Sequence, residues 1–134
     1  MRRVFKTKQF ARWSRKTGLA DQALCAAVSE MIGGLIDADL GGGVIKKRVA
    51  LPGRGKSGGS RTLVATNKAD RWFFVFGFEK NERANIGAKE LQALQAAASD
   101  LLRLAVAQLN SALSREALQE ICHESENTNE KPNS

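Results

Sequence analysis

The residues of this chain best equipped for chemistry are its lysines and arginines. Lys46, Lys47 and Arg48 are consecutive. Arg54 and Lys56 follow in a stretch rich in Gly and Ser, then Arg61, and further on Lys80 and Arg83. Clustered cations can hold several phosphates and can stabilise the extra negative charge of a phosphoryl-transfer transition state. On a strand, Lys46 and Arg48 point to one face and Lys47 to the other. The plain alternative is a solvated basic face that binds nothing in particular.

Other chemistries are poorly supplied. The sole histidine, His123, lies near the C-terminus, and the chain has no tyrosine. A Ser-His or Cys-His relay therefore has no base within the body of the domain. Catalysis would run on Lys, Arg and either Glu79 or Glu82. Cys25 and Cys122 make neither a disulfide framework nor a zinc site. The Cys122-His123 pair could hold at most a stray metal ion. No cofactor is expected. Residues 50–57 (ALPGRGKS) match a relaxed phosphate-loop pattern with Ala in place of the first glycine. That loop works through the N-terminus of a helix directly after its Lys-Ser. Here Gly58-Gly59-Ser60 and then a strand pattern follow, which rules the motif out.

The elements that must position these cations can be read from periodicity. Residues 2–7 suit a short strand or arm. Residues 8–16 place Phe10 and Trp13 on one helical stripe, and a second helix runs from about Leu19 to Leu35 with Leu24, Val28, Met31, Ile32 and Leu35 as its apolar positions. Gly41-Gly42-Gly43 breaks the chain. Residues 44–51 and 61–67 read as strands separated by a mobile loop at 52–60, and Asn67 to Arg71 as a hairpin turn. Residues 72–79 (WFFVFGFE) are apolar on both faces, as a central strand covered on both sides would be. Strict alternation puts Trp72, Phe74, Phe76 and Phe78 on one face and Phe73 and Val75 on the other, mainly as core. A third helix starts near Gly87, with Glu90 at its third position, and its apolar stripe continues to Leu109. A weaker helix is expected at 114–122.

The fold class is thus α+β. A small antiparallel sheet, a meander of three or four strands, carries two N-terminal helices and a C-terminal helix, with the helices on one face. One domain is expected over residues 1–115, with an acidic, largely disordered polar tail at 116–134.

Charge points to the partner. The net charge is +7, and residues 1–16 and 41–69 each carry seven Lys or Arg with no acid. Five Glu against one Lys lie at 116–134. A basic body favours a polyanion such as RNA. No apolar run approaches a membrane span, and the N-terminus lacks a secretory apolar segment, so the cytoplasm is the expected location.

Several of these segments together resemble the RelE/HigB superfamily of toxins from bacterial type II toxin–antitoxin modules. The resemblance covers residues 2–105. It rests on VFKTKQFARW, on the two-helix N-terminal segment, on KKRVALPGRGKSGGSRTLVA, and most specifically on FVFGFEKNERANI followed by a helix beginning KEL. The resemblance implies a cytoplasmic mRNA interferase, an endoribonuclease that cuts mRNA on the ribosome by 2′-hydroxyl attack and so inhibits translation. It implies catalytic roles for Arg61, Lys80, Arg83 and Lys47, and RNA contacts for Lys46, Arg48, Arg54 and Lys56. It also implies a protein antitoxin as partner. The family's usual Tyr or His acid–base residue is missing around Ile86. A ParE-like inhibitor of DNA gyrase, acting by binding, is the alternative, and a non-catalytic antitoxin-binding member is a third.

Overall fold

The structure, a computed structural model, describes residues 2–53 and 55–123, with residues 55–58 described by their backbone alone. Ten elements follow one another: β1 (Arg3–Thr7), α1 (Lys8–Thr17), α2 (Asp21–Ile32), β2 (Ala38–Gly41), β3 (Val44–Leu51), β4 (Gly55–Thr66), β5 (Arg71–Glu79), α3 (Ala88–Leu102), α4 (Val106–Ser114) and β6 (Leu118–Ile121). The strands form one mixed sheet in the order β2-β3-β4-β5-β1-β6. The expected meander is its centre, β3-β4-β5. The six strands exceed the expected three or four, and the four helices the expected three.

Each extra element has a local cause. Gly41, Gly42 and Gly43 all have positive φ, which side chains disfavour, and together they turn β2 into β3 rather than merely breaking the chain. The stretch expected as a loop at 52–60 is strand from Gly55, because ladder pairing needs only backbone groups. Ser60 secures it by donating its hydroxyl to the Val49 carbonyl at 2.9 Å. β1 inserts parallel to β5, pairing Arg3 to Lys6 with Arg71 to Phe74. The third helix stops at Leu102, and α4 resumes the apolar stripe.

The expected helix at 114–122 is instead the antiparallel edge strand β6. Its Leu118 packs on one face of the sheet and its Ile121 on the other. Glu120 takes a bidentate pair from Arg3, at 2.9 and 2.8 Å. The ordered sheet therefore runs past the expected domain end at 115. Residues 124–134 of the expected tail lie outside the described residues. Beside β6, Cys122 is bonded to Cys25 of α2, so these cysteines do form a disulfide. Composition could not show this, because the contact needs β6 and α2 brought together across 97 residues.

Helices cover both faces, not one. On the first face, Phe10, Leu24, Val28 and Met31 from α1 and α2 meet Ile45, Val64, Trp72 and Phe74. On the second, Ala98, Leu109 and Ala112 from α3 and α4 meet Phe5, Leu63 and Phe73. Phe5 and Phe73 stack with ring centroids 4.9 Å apart. Thr7 caps α1 by accepting from the Phe10 N–H at 3.2 Å. No helix among the described residues is long and apolar enough to cross a membrane.

One irregularity changes which face the end of β5 presents. Leu63 pairs with Phe76 and Val64 with Phe74, so β5 carries a bulge at Val75. Beyond the bulge the alternation reverses. Phe76 and Phe78 join Phe73 on the α3 face, contrary to strict alternation. Gly77 turns to α1, where a Cβ would sit 2.4 to 2.7 Å from the Trp13 ring. Gly77→Ala is expected to displace α1 and cost about 1–3 kcal/mol in urea unfolding. Reducing the Cys25–Cys122 bond, or replacing both residues by Ser, should lower stability by up to about 4–5 kcal/mol, because the bond closes a long loop. Denaturation with and without reductant measures it.

Candidate functional site

The site is built on the α3 face of the sheet, where β3, β4 and β5 run beneath the start of α3. Lys46 lies two residues from Val44, whose side chain is in the α3-face core, and Arg61 lies two from Leu63, which is there too. Ladder register sets Arg61 between Arg48 on β3 and Phe78 on β5. Lys46 and Arg61 are both half-buried. Lys46 reaches the Asn85 side-chain oxygen at 3.5 Å, at the edge of hydrogen-bond distance. Lys80 is exposed on the turn leaving β5, and its backbone N–H closes the ladder on the Gly59 carbonyl at 3.2 Å.

Arg83 lies on the connection from β5 to α3. Its guanidinium sits 5.9 Å from the Phe76 centroid and 5.7 Å from that of Phe78. The β5 bulge makes this possible by turning both rings to this face. The guanidinium also donates twice to Glu90 on α3, at 3.0 and 2.6 Å. Glu90 accepts in addition from the Gly87 N–H at 2.9 Å. Arg83, and secondarily that N–H, hold the Glu90 carboxyl below the usual carboxylate range, and Glu90 raises Arg83 in turn. Both are therefore charged at neutral pH.

Lys46, Arg61 and Lys80 differ from Arg83. Among the described residues, none of the three has a carboxylate within salt-bridge distance. Three cations without carboxylate partners and one braced cation over an aromatic floor can bind a phosphodiester. The same charges can stabilise a more negative phosphorane.

Of the other candidates, Arg48 shares this face across the ladder from Arg61, but it is paired. Lys47 faces α2 and is 3% exposed. It pairs with Glu30 at 2.7 Å and donates to the Leu35 carbonyl at 3.0 Å. Its position is structural, and the catalytic role drawn from its place in the basic run loses its geometric support. Arg48 is exposed, with its Nε on Asp37 at 3.2 Å at the β2 edge. Lys56 lies on β4, where only the backbone is described, and Arg54 lies outside the described residues. His123 adjoins a cleft of about 550 Å³ shared with Asp21, Gln22 and Ser29 of α2. Its neighbour Cys122 is in the disulfide and has no thiolate to offer a metal. Among the described residues no His, Cys, Asp and Glu side chains cluster as a metal site.

Sequence reasoning did not find Glu90, Asn85, or Phe76 and Phe78 as members of this face. Glu90 was visible only as a third helical residue. Its partner lies seven positions upstream across a loop, so no helical spacing joins them.

The chain matches the family model described as the RelE toxin of the RelE / RelB toxin–antitoxin system, over residues 2–121. No curated protein matches it. Lys47→Ala is expected to cost about 1–3 kcal/mol of stability, softened by the partial exposure of Glu30, while leaving the α3-face site assembled. Chemical denaturation beside an activity assay separates the two effects.

Proposed function

Because the chain belongs to the RelE toxin family, we propose that it is the toxin of a toxin–antitoxin pair and cuts mRNA on the ribosome. The observation that carries this reading is the α3 face itself. Lys46, Arg61 and Lys80, free of carboxylate partners among the described residues, lie on the same sheet end as Arg83 above Phe76 and Phe78. In the reaction, a bond forms between the 2′-oxygen and phosphorus, and the bond from phosphorus to the 5′-oxygen breaks. A 2′,3′-cyclic phosphate remains. The 2′-hydroxyl proton passes to water, and the 5′-oxygen takes one from it.

Arg61 and Arg83 supply charge to the phosphorane, and Lys46 and Lys80 hold the flanking phosphates. The chain has no tyrosine, and its one histidine lies beside the α2 cleft. Lys47 is committed to Glu30. The protein thus contributes charge and orientation, and the ribosomal site aligns the 2′-hydroxyl. The partners are an antitoxin protein, the ribosome and mRNA, and the work is done in the cytoplasm. A reducing compartment opens disulfides that are not strongly favoured, so thiol titration of protein quenched inside cells reports which form acts there. The absence of Tyr from the chain, and the placing of its one His away from the α3 face, favour one alternative, a gyrase inhibitor that acts by binding.

Primer extension on mRNA after induction decides between them. New 5′ ends at a fixed codon position are expected, and they should vanish when translation is blocked. Arg61→Ala should lower cleavage about 100-fold to 1,000-fold, as losing one transition-state donor does. Intact mRNA in growth-arrested cells would sink the nuclease reading in favour of gyrase.

A further inference from the structure

Arg83 is on a seven-residue connection, Lys80–Ile86, between the last residue of β5 and the Gly87 cap of α3. Left alone, an arginine on such a loop samples many rotamers. Its reach to the site then depends on what holds it. Three contacts do so here. The Phe76 and Phe78 rings lie under the guanidinium. The Glu90 carboxylate meets both terminal nitrogens. Glu90 is itself fixed, because it is in the first turn of α3 and accepts from the Gly87 N–H. The helix behind it is anchored by Leu91, Leu94 and Ala98 in the α3-face core.

A guanidinium has five N–H donors. Two are used on Glu90, and three remain for another acceptor. A carboxylate that took the whole donor set would block phosphate binding. One that takes a single pair end-on fixes the plane of the group and leaves the other donors usable.

We infer that Glu90 is a positioning residue of the α3-face site, holding the Arg83 guanidinium over Phe76 and Phe78 so that its remaining donors meet the scissile phosphate. This rests on the nuclease reading. Glu90 touches no substrate in this role. It acts through Arg83, converting the rigidity of α3 into the orientation of a loop residue. The cost is a negative charge beside a polyanion site, which weakens ground-state attraction for RNA. Glu90 therefore exchanges affinity for geometry, and this gives the inference a signature that general support of the fold would not produce.

The test is a double-mutant cycle of Glu90→Ala and Arg83→Ala, with Glu90→Gln as the conservative variant. Three readouts are used: translation-dependent mRNA cleavage, binding of a fluorescent single-stranded oligoribonucleotide at low salt, and thermal unfolding. Glu90→Ala is expected to lower cleavage about tenfold to a hundredfold, the usual effect of misplacing a reacting group. RNA affinity should be unchanged or higher. Arg83→Ala should lower cleavage at least as far, and the double variant no further. Glu90→Gln, which keeps one carbonyl acceptor, should fall between wild type and Glu90→Ala.

Wild-type cleavage by Glu90→Ala overturns the inference. So does a loss in the double variant equal to the product of the two single losses. A Glu90→Ala variant that loses RNA affinity and thermal stability together, with Glu90→Gln doing the same, also overturns it. If the wild-type protein cuts no mRNA, the nuclease reading fails by itself. The same cycle is then read on growth arrest. Non-additive loss of toxicity keeps Glu90 as the positioner of Arg83, and additive or absent loss removes it.

Discussion

The structure depends on the burial of β5 from both sides. A strand reading WFFVFGFE has no polar face to give to water, so each face needs cover. α1 and α2 supply one cover, and α3 and α4 the other. Strands must also flank it, because buried backbone groups need ladder partners. β4 pairs on one edge and β1 on the other. The mixed sheet follows, since the strand that reaches β5 from the chain start arrives parallel to it.

The bulge at Val75 links this core to the site. Without it, Phe76 and Phe78 would point at α1, and the α3 face would have no aromatic floor under Arg83. With it, Gly77 takes the place facing α1, and Trp13 closes onto bare backbone. A single inserted residue thus serves packing on one face and the seating of Arg83 on the other. Bulges recur beside functional sites for this reason: at the cost of one unpaired residue they re-aim the side chains that follow.

Two sets of basic residues on and beside the sheet are set apart by face. Lys6 and Lys47 enter the α2 side, are nearly inaccessible, and pair with Asp21 and Glu30, both at 2.7 Å. They bind α2 to β1 and β3, and the Cys25–Cys122 bond joins it to the end of β6. Removing a buried lysine's partner would leave a charge without compensation, which ties the position of α2 to these pairs. Lys46, Arg61 and Lys80 belong to the other population, with no carboxylate partner among the described residues. Net charge alone counts buried, paired lysines and exposed cations alike, although only the exposed ones can meet a polyanion.

Local sequence patterns carry the α+β class, the three central strands, the starts of α1 and α3, and the opposite faces of Lys46 and Lys47. These rest on period-2 and period-3.6 patterns and on local capping, which neighbouring residues carry. The sequence also held the motifs by which the chain resembles its family. The tertiary structure decided everything that depended on distant partners. β6 is four residues long, too short for periodicity to identify, and it pairs along the edge of β1, whose own place beside β5 no local pattern shows. The disulfide, the pairing of Lys47 with Glu30 and the bracing of Arg83 by Glu90 each join residues with no helical or strand spacing between them. The bulge changed which face two phenylalanines serve, because alternation is a rule about an unbroken ladder and only the ladder's partner strand shows where it breaks.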